Sequence, residues 1–133
     1  MSEAPSHADL TDIRSAVLDP AQGPARVISG TPTASQRTLH RADGVEIGIW
    51  EITPGEFHST KSGLTEFMHF VSGAGRIEHS DGTVTVIAPG AVLHVFDGWS
   101  GIWRVTETAR KCYTVDRRPG LRASAATADR ISA

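Results

Sequence analysis

From Gly44 to Val115 the chain is written in short alternating apolar segments cut by glycine, and this period of two limits the folds open to it. Val45, Ile47 and Ile49 alternate with Glu46, Gly48 and Trp50, which predicts a strand running to Thr53 and stopping at Pro54-Gly55. Further strands are expected at 65–72, 75–80, 83–88, 91–96, 101–107 and 110–116. The third and fourth of these seven meet at Asp81-Gly82, a two-residue hairpin signal, because both central residues of a type I′ turn need positive φ. Gly73-Ala74-Gly75 reads as a hairpin corner. Short strands with turns about every eight to twelve residues argue for a sandwich or barrel. The separating helices that a parallel α/β sheet needs are absent from the pattern.

Upstream the pattern changes. Leu10, Ile13, Val17 and Leu18 recur at helical spacing and predict a short amphipathic helix ending before Asp19-Pro20, capped by Asp9 or Thr11. Residues 19–43, rich in Pro, Gly, Ser and Thr, read as an arm with one short strand near Arg26 to Ile28. The expected organisation is a helix and arm over 1–43, with the first eight residues frayed, a barrel over 44–117, and a mobile tail over 118–133.

Composition narrows the function classes. At 133 residues the chain suits one domain, and 39% apolar with 21% charged residues marks it as globular. The formal net charge of −2 and the lack of a Lys/Arg stripe argue against nucleic acid, since phosphate binding needs clustered positive charge. No apolar run approaches the roughly 18 residues that span a bilayer, and Met1 to Leu10 lacks the apolar core of a secretory signal. A single cysteine, Cys112, fits a reducing cytosol and suggests a packed thiol.

The glycine spacings resemble the two cupin motifs, G-x5-H-x-H-x(3,4)-E-x6-G and G-x5-P-x-G-x2-H-x3-N. Gly55 matches the opening glycine of the first, Glu66 its glutamate and Gly73 its closing glycine. Gly90 and Gly98 match glycines of the second, with Phe96 in place of the proline. Trp50-x3-Pro54-Gly55-x-Phe57, Gly101-x-Trp103-x-Val105-x-Glu107 and Arg110-Lys111-x-Tyr113 look like the small cupins related to ureidoglycine aminohydrolase and to ethanolamine-utilisation proteins. The resemblance implies an all-β fold, a double-stranded β-helix or jelly-roll barrel, here preceded by the helix and arm. It also implies a metal held by three histidines and the glutamate. The histidine positions near 59–63 hold Ser59, Thr60, Lys61, Ser62 and Gly63, however, and the second-motif histidine falls on Gly101.

Glu66 is the leading site candidate. In the cupin register it points into the barrel, where an unpaired carboxylate is costly, so it needs a metal, a cationic side chain or a ligand's donor. Lys61, Arg76, Arg104 and Lys111 are its candidate internal partners; a purely structural ion pair is the bland alternative. Met68 and Phe70 share Glu66's parity, whereas His69 takes the other face. His58 and His94 are candidate metal ligands alongside Glu66, against the plainer reading of ordinary histidines, and His79, beside its turn, reads as solvated. Trp103 shares parity with Gly101 and Val105 and reads as a pocket wall. Met68, Phe57 and Lys61 complete the expected ligand-binding set with Glu66 and Trp103, while Arg110-Lys111 reads as a solvated strand end.

The function expected is a cupin that binds a small polar metabolite between Glu66 and the Trp103 wall, metal-free or weakly metallated. The alternatives are a metal-dependent enzyme of the aminohydrolase or isomerase kind, with Glu66 as acid–base or as ligand to a divalent ion, and a non-catalytic structural subunit. The arm, able to cover a neighbour's sheet edge, leads to an expected homodimer.

Overall fold

The computed structural model describes residues 11–119, which form nine strands: β1 (Asp19–Pro20), β2 (Arg26–Gly30), β3 (Ala34–Ala42), β4 (Val45–Ile52), β5 (Gly55–Thr60), β6 (Thr65–His79), β7 (Val84–Ile87), β8 (Val92–Val95) and β9 (Ser100–Asp116). All pairings are antiparallel. The strands follow the order β1-β3-β4-β9-β5-β2, and β6 pairs β9 on its other side while also pairing β7 and β8. The sheet thus curls around an interior filled by Ile52, Phe57, Met68, Phe70, Ile77, Ile87, Val95, Trp103 and Val105. The all-β fold expected from the periodicity is present, and of the sandwich and the barrel it is the barrel, as the cupin resemblance implies.

Two pairs of expected strands are single long ones. β6 runs through 73–75 and β9 through 108–109 without a turn. What reads as a hairpin corner is a set of register shifts in β6 between Phe70 and Gly75. Before them Glu66, Met68 and Phe70 are buried; after them Ile77 is, so the shifts exchange the parity of the inward face. Gly73 and Gly75 have φ of 108° and 144°, and a Cβ at either would collide with the backbone of β9 at Ala109 and Arg104. Their glycines are therefore required by a close crossing of two chains.

The hairpin signal also sits elsewhere. At Asp81-Gly82 only Gly82 has positive φ, and His79 O accepts from Gly82 N while His79 N donates to Thr83 O. This is a longer loop with a glycine bulge. Asp43-Gly44 is the pair with positive φ at both residues, 54° and 82°, and it joins β3 to β4 with Ala42 opposite Val45.

The N-terminal helix is not formed; no helix occurs among the described residues. A single turn remains, with Ala16 N donating to Asp12 O and Arg14 N to Asp12 Oδ1. The stretch is too short to offset helix nucleation, and Val17, 83% exposed, finds no apolar partner face. The residue before a proline prefers an extended backbone, and Asp19-Pro20 is drawn into β1. Arg110 takes two carbonyls a helix would have used, donating from Nη1 to Ile13 O and Ala16 O at 2.9 Å each. The arm holds more strand than expected, since β3 lies within it. Asp9, Leu10, the frayed end and the tail beyond Pro119 fall outside the described residues.

Gly48, in the middle of β4, is a packing glycine. A Cβ there would stand 2.5 Å from the Tyr113 hydroxyl and 2.6 Å from Arg37 O. Gly48→Ala is expected to cost about 1–3 kcal/mol, the usual range for overpacking. Urea unfolding should show a lower midpoint with an unchanged slope; an unchanged midpoint would mean that β4 yields freely and that the contact is not constraining.

Candidate functional site

The site is arranged by β9. Gly101, Trp103, Val105, Ala109, Lys111, Tyr113 and Val115 are all buried, the inward half of the pleat over nearly its whole length. Register with its neighbours stacks them in layers. Val115 lies between Glu46 on β4 and Glu66 on β6, Tyr113 between Gly48 and Met68, and Lys111 between Trp50 and Phe70. Two strand spacings separate Glu46 from Glu66, about 10 Å between their Cα atoms.

Glu66 is 4% exposed and carries two ammonium groups: Lys111 Nζ stands 2.7 Å from Oε2 and Lys61 Nζ 3.1 Å from Oε1. Burial pushes the carboxyl up, but Lys111 and then Lys61 outweigh it, and the group stays below the ordinary glutamate value. Lys111 is itself 4% exposed. Its amine is pushed below the ordinary lysine value, chiefly by burial, with Lys61 acting in the same sense and Glu66 in the opposite one. Its Nζ also approaches Met68 Sδ at 3.5 Å and lies over the rings of Trp50 at 4.6 Å and Trp103 at 5.1 Å. Trp103 stacks on Phe57, with centroids 5.7 Å apart and planes at 18°, and meets Trp50 edge-on at 5.6 Å. The indole N–H of Trp103 is buried with no hydrogen-bond partner among the described residues.

A second polar cluster faces the same space. Tyr113 donates to Glu46 Oε2 at 2.6 Å, and Gln36 Nε2 donates to Glu46 Oε2 at 3.0 Å and also to the tyrosine hydroxyl. Arg41 reaches the other carboxylate oxygen at 3.0 Å. The bond from Tyr113 holds Glu46 below its usual value against burial, and burial, followed by that same bond, pushes the phenol up to about 12. Glu46 is therefore the acceptor and Tyr113 the donor.

Both clusters line one cavity of about 380 Å³, whose other walls include Trp50, Phe57, Trp103, Arg26 and Arg117 and the arm residues Gln22 to Ala25. Among the sequence candidates, Glu66, Lys61, Phe57, Trp103 and His58 are brought together here. Met68 lies against Lys111 without lining the cavity. His94 is on the outer face, its ring 6.1 Å from exposed Phe67 and 4.5 Å from exposed Phe96, opposite in parity to inward Val95. His79 is half-buried, accepting from Trp99 Nε1 at 2.9 Å and bonded to Thr85 Oγ1 at 2.7 Å. Arg76 and Arg104 do not reach Glu66; they pair with Glu78 and, for Arg104, also Glu56.

The residues present do not fit the metal that the cupin motifs imply. Both Glu66 oxygens are engaged by ammoniums, and no three His, Cys, Asp or Glu side chains converge among the described residues. At Gly101, where a histidine ligand would stand, a Cβ would lie 2.6 Å from the Trp99 ring and 2.8 Å from Glu78 O. The room for that ligand is occupied by an indole.

Of the candidate partners of Glu66, Lys61 and Lys111 are the two that reach it, so Lys111 is not part of a solvated strand end, and Arg110 beside it pairs with Glu51 at 2.9 Å. Glu46, Gln36, Arg26 and Arg117 are site residues that the motif spacing does not mark, and Tyr113 stands in the family phrase without being a site candidate. Two signals were available. A lone glycine within the β4 alternation marks a close approach, here by Tyr113. The chain also has eleven arginines but only two lysines, 61 and 111, and both meet Glu66.

A family model for the EutQ-like cupin domain matches residues 39–113. No curated protein matches the chain. Among solved structures, a protein of unknown function from Pseudomonas syringae pv. tomato is 28% identical with a TM-score of 0.69, covering 77% of this chain and 45% of its own. This chain thus spans less than half of that protein. EutQ of Clostridium difficile is 17% identical (TM-score 0.57; 67% and 66% covered) and ectoine synthase of P. lautus 21% (TM-score 0.60; 69% of each), likenesses of fold alone. With more than half its length matched by that model and the same barrel in its structure, the chain belongs to the EutQ-like cupin domain family.

Proposed function

We propose that the barrel binds a small polar metabolite without a resident metal, and that the metabolite carries negative charge. The observation that carries this reading is the Lys61–Glu66–Lys111 cluster at the cavity wall. Two ammoniums on one carboxylate leave one positive charge in surplus, and Arg26 adds to it from another wall, while Arg117 is paired with Glu46 at 3.6 Å. An anion entering the cavity completes the cluster's neutralisation, and a buried charge is retained only when paired. The Trp50, Phe57 and Trp103 faces supply an apolar wall for the rest of the molecule. A purely structural subunit would be better served by a filled apolar barrel than by a cavity of about 380 Å³ lined with paired charges. Ectoine synthase shows that a barrel of this kind is used to act on a small molecule, which supports the reading by analogy of fold.

Benzoate, benzamide and benzamidine share a flat ring and differ in charge, so they separate the contributions. Benzoate is expected to quench tryptophan fluorescence saturably and to raise the thermal midpoint, with benzamide weaker and benzamidine inert. Equal responses to all three would remove the charge from the reading, and no response to any would remove the site.

Lys61 is the residue to change, because its side chain is 21% exposed and its loss leaves the Glu66–Lys111 pair intact. Lys61→Gln should cost about 1–3 kcal/mol in stability, the range for losing a hydrogen bond to a charged group, and lose the benzoate response. Full retention of that response would place the anion elsewhere.

A further inference from the structure

We propose that Lys111 is a nucleophilic amine that forms an imine with the carbonyl carbon of a small anionic oxo compound held in the cavity. This rests on the binding reading above and names the class of molecule bound.

Three observations meet at one atom. First, the basic side chains of this chain are arginine everywhere except at Glu66, where both lysines stand. Arginine cannot be deprotonated in a protein, whereas a buried lysine readily becomes a neutral amine. Two arginines would have neutralised Glu66 as well; only lysine offers a nucleophile. Second, Lys111 Nζ is in a desolvated setting, between two indole faces and a thioether, with a second ammonium on the same carboxylate. Burial and a neighbouring cation are the two means by which lysine nucleophiles are activated, and both push this amine down from its ordinary value. Third, a proton acceptor is in place, Glu66 Oε2 at 2.7 Å, within the reach that general acid–base transfer needs.

The step balances with these groups alone. Glu66 takes a proton from the Lys111 ammonium. The free amine attacks the carbonyl carbon, a C–N bond forms, and the carbonyl oxygen receives the proton from Glu66. The nitrogen then returns a proton to Glu66. The C–O bond breaks as that proton passes to the departing oxygen, water leaves, and the nitrogen lone pair closes the C=N bond. Nothing is oxidised or reduced, and Glu66 ends as a carboxylate. The product is a protonated imine, so its positive charge keeps the Glu66 pairing and the indole faces that held the ammonium. Lys61, on the other carboxylate oxygen, is placed to receive the anionic group of the oxo compound.

The test uses pyruvate with cyanoborohydride, which reduces an imine to a stable amine, followed by intact mass and peptide mapping. The expected result is one reduced pyruvyl adduct per chain, on Lys111, suppressed by benzoate. The adduct should be lost in Lys111→Arg and slowed in Glu66→Gln, where the amine remains but its base does not. Mapping in the unaltered protein decides the matter even if a variant fails to fold. An adduct only on Lys61 or on the amino terminus overturns the proposal. Pyruvate that quenches tryptophan fluorescence without being trapped overturns the imine and leaves the binding reading standing. Pyruvate that neither binds nor is trapped, with benzoate binding, overturns the oxo-compound class; failure of both ligands overturns the binding reading itself.

Discussion

The alternation of β9 is the constraint on which the rest depends. A pleated strand sends successive side chains to opposite faces, and the odd-numbered residues of β9 from Gly101 to Val115 supply the barrel's inner face, with Glu107 the one exposed exception. Because β9 pairs β4 and β5 on one side and β6 on the other, its register decides which residues meet inside. Glu66 faces Lys111 only because Val115 is opposite Glu66 and Lys111 lies two pleats away on the same face. A slip of one residue would place Lys111 in solvent and Cys112 at the carboxylate. The crossing at Gly73 and Gly75 secures that register, since no other residue allows β6 to lie so close to β9.

Stability alone does not account for the buried ion pair. Removing a carboxylate and an ammonium from water is expensive, and well-packed apolar side chains in their place would often serve stability equally well or better. The barrel has such side chains at hand in Met68, Phe70 and Val95. Within it, Glu66 and Lys111 are both 4% exposed, and each holds the other in place. A charge pair retained against its desolvation, at the wall of a cavity, is the physical ground of the binding proposal.

The barrel was legible in the sequence where glycine and alternation coincide. β4 reads directly from Val45, Ile47 and Ile49, and the burial of Glu66, Met68 and Phe70 follows the expected parity. β3 does not read at all: Ser35, Gln36, Arg37 and Thr38 carry no apolar alternation, and the strand exists because β4 and the Asp43-Gly44 turn align it. The helix failed for the opposite reason, since its spacing was right but nothing apolar waited to receive it. At the site, Glu66, Lys61, Phe57 and Trp103 were recoverable from motif register. Lys111 was recoverable only as one of four candidate partners of Glu66, because a lysine beside an arginine also reads as a solvated strand end by average behaviour, and only pairing across β6 and β9 decides between the two. Tyr113 and Glu46 meet through residues far apart in the chain, and Gly48 alone betrays them.

Ammonium groups and a metal ion solve the same electrostatic problem with different chemical results. Either neutralises a carboxylate at the barrel wall and attracts an anion. A metal would also lower the pKa of bound water and polarise oxygen as a Lewis acid, which an ammonium does far more weakly. An ammonium offers what a metal lacks, a nitrogen that becomes a nucleophile once its proton moves to the adjacent carboxylate. In this barrel the Trp99 indole fills the space beside Gly101 and lysines hold both oxygens of Glu66. The substitution therefore changes the reactions within reach while leaving the fold intact: chemistry built on activated water recedes, and chemistry built on an amine and its proton acceptor comes forward.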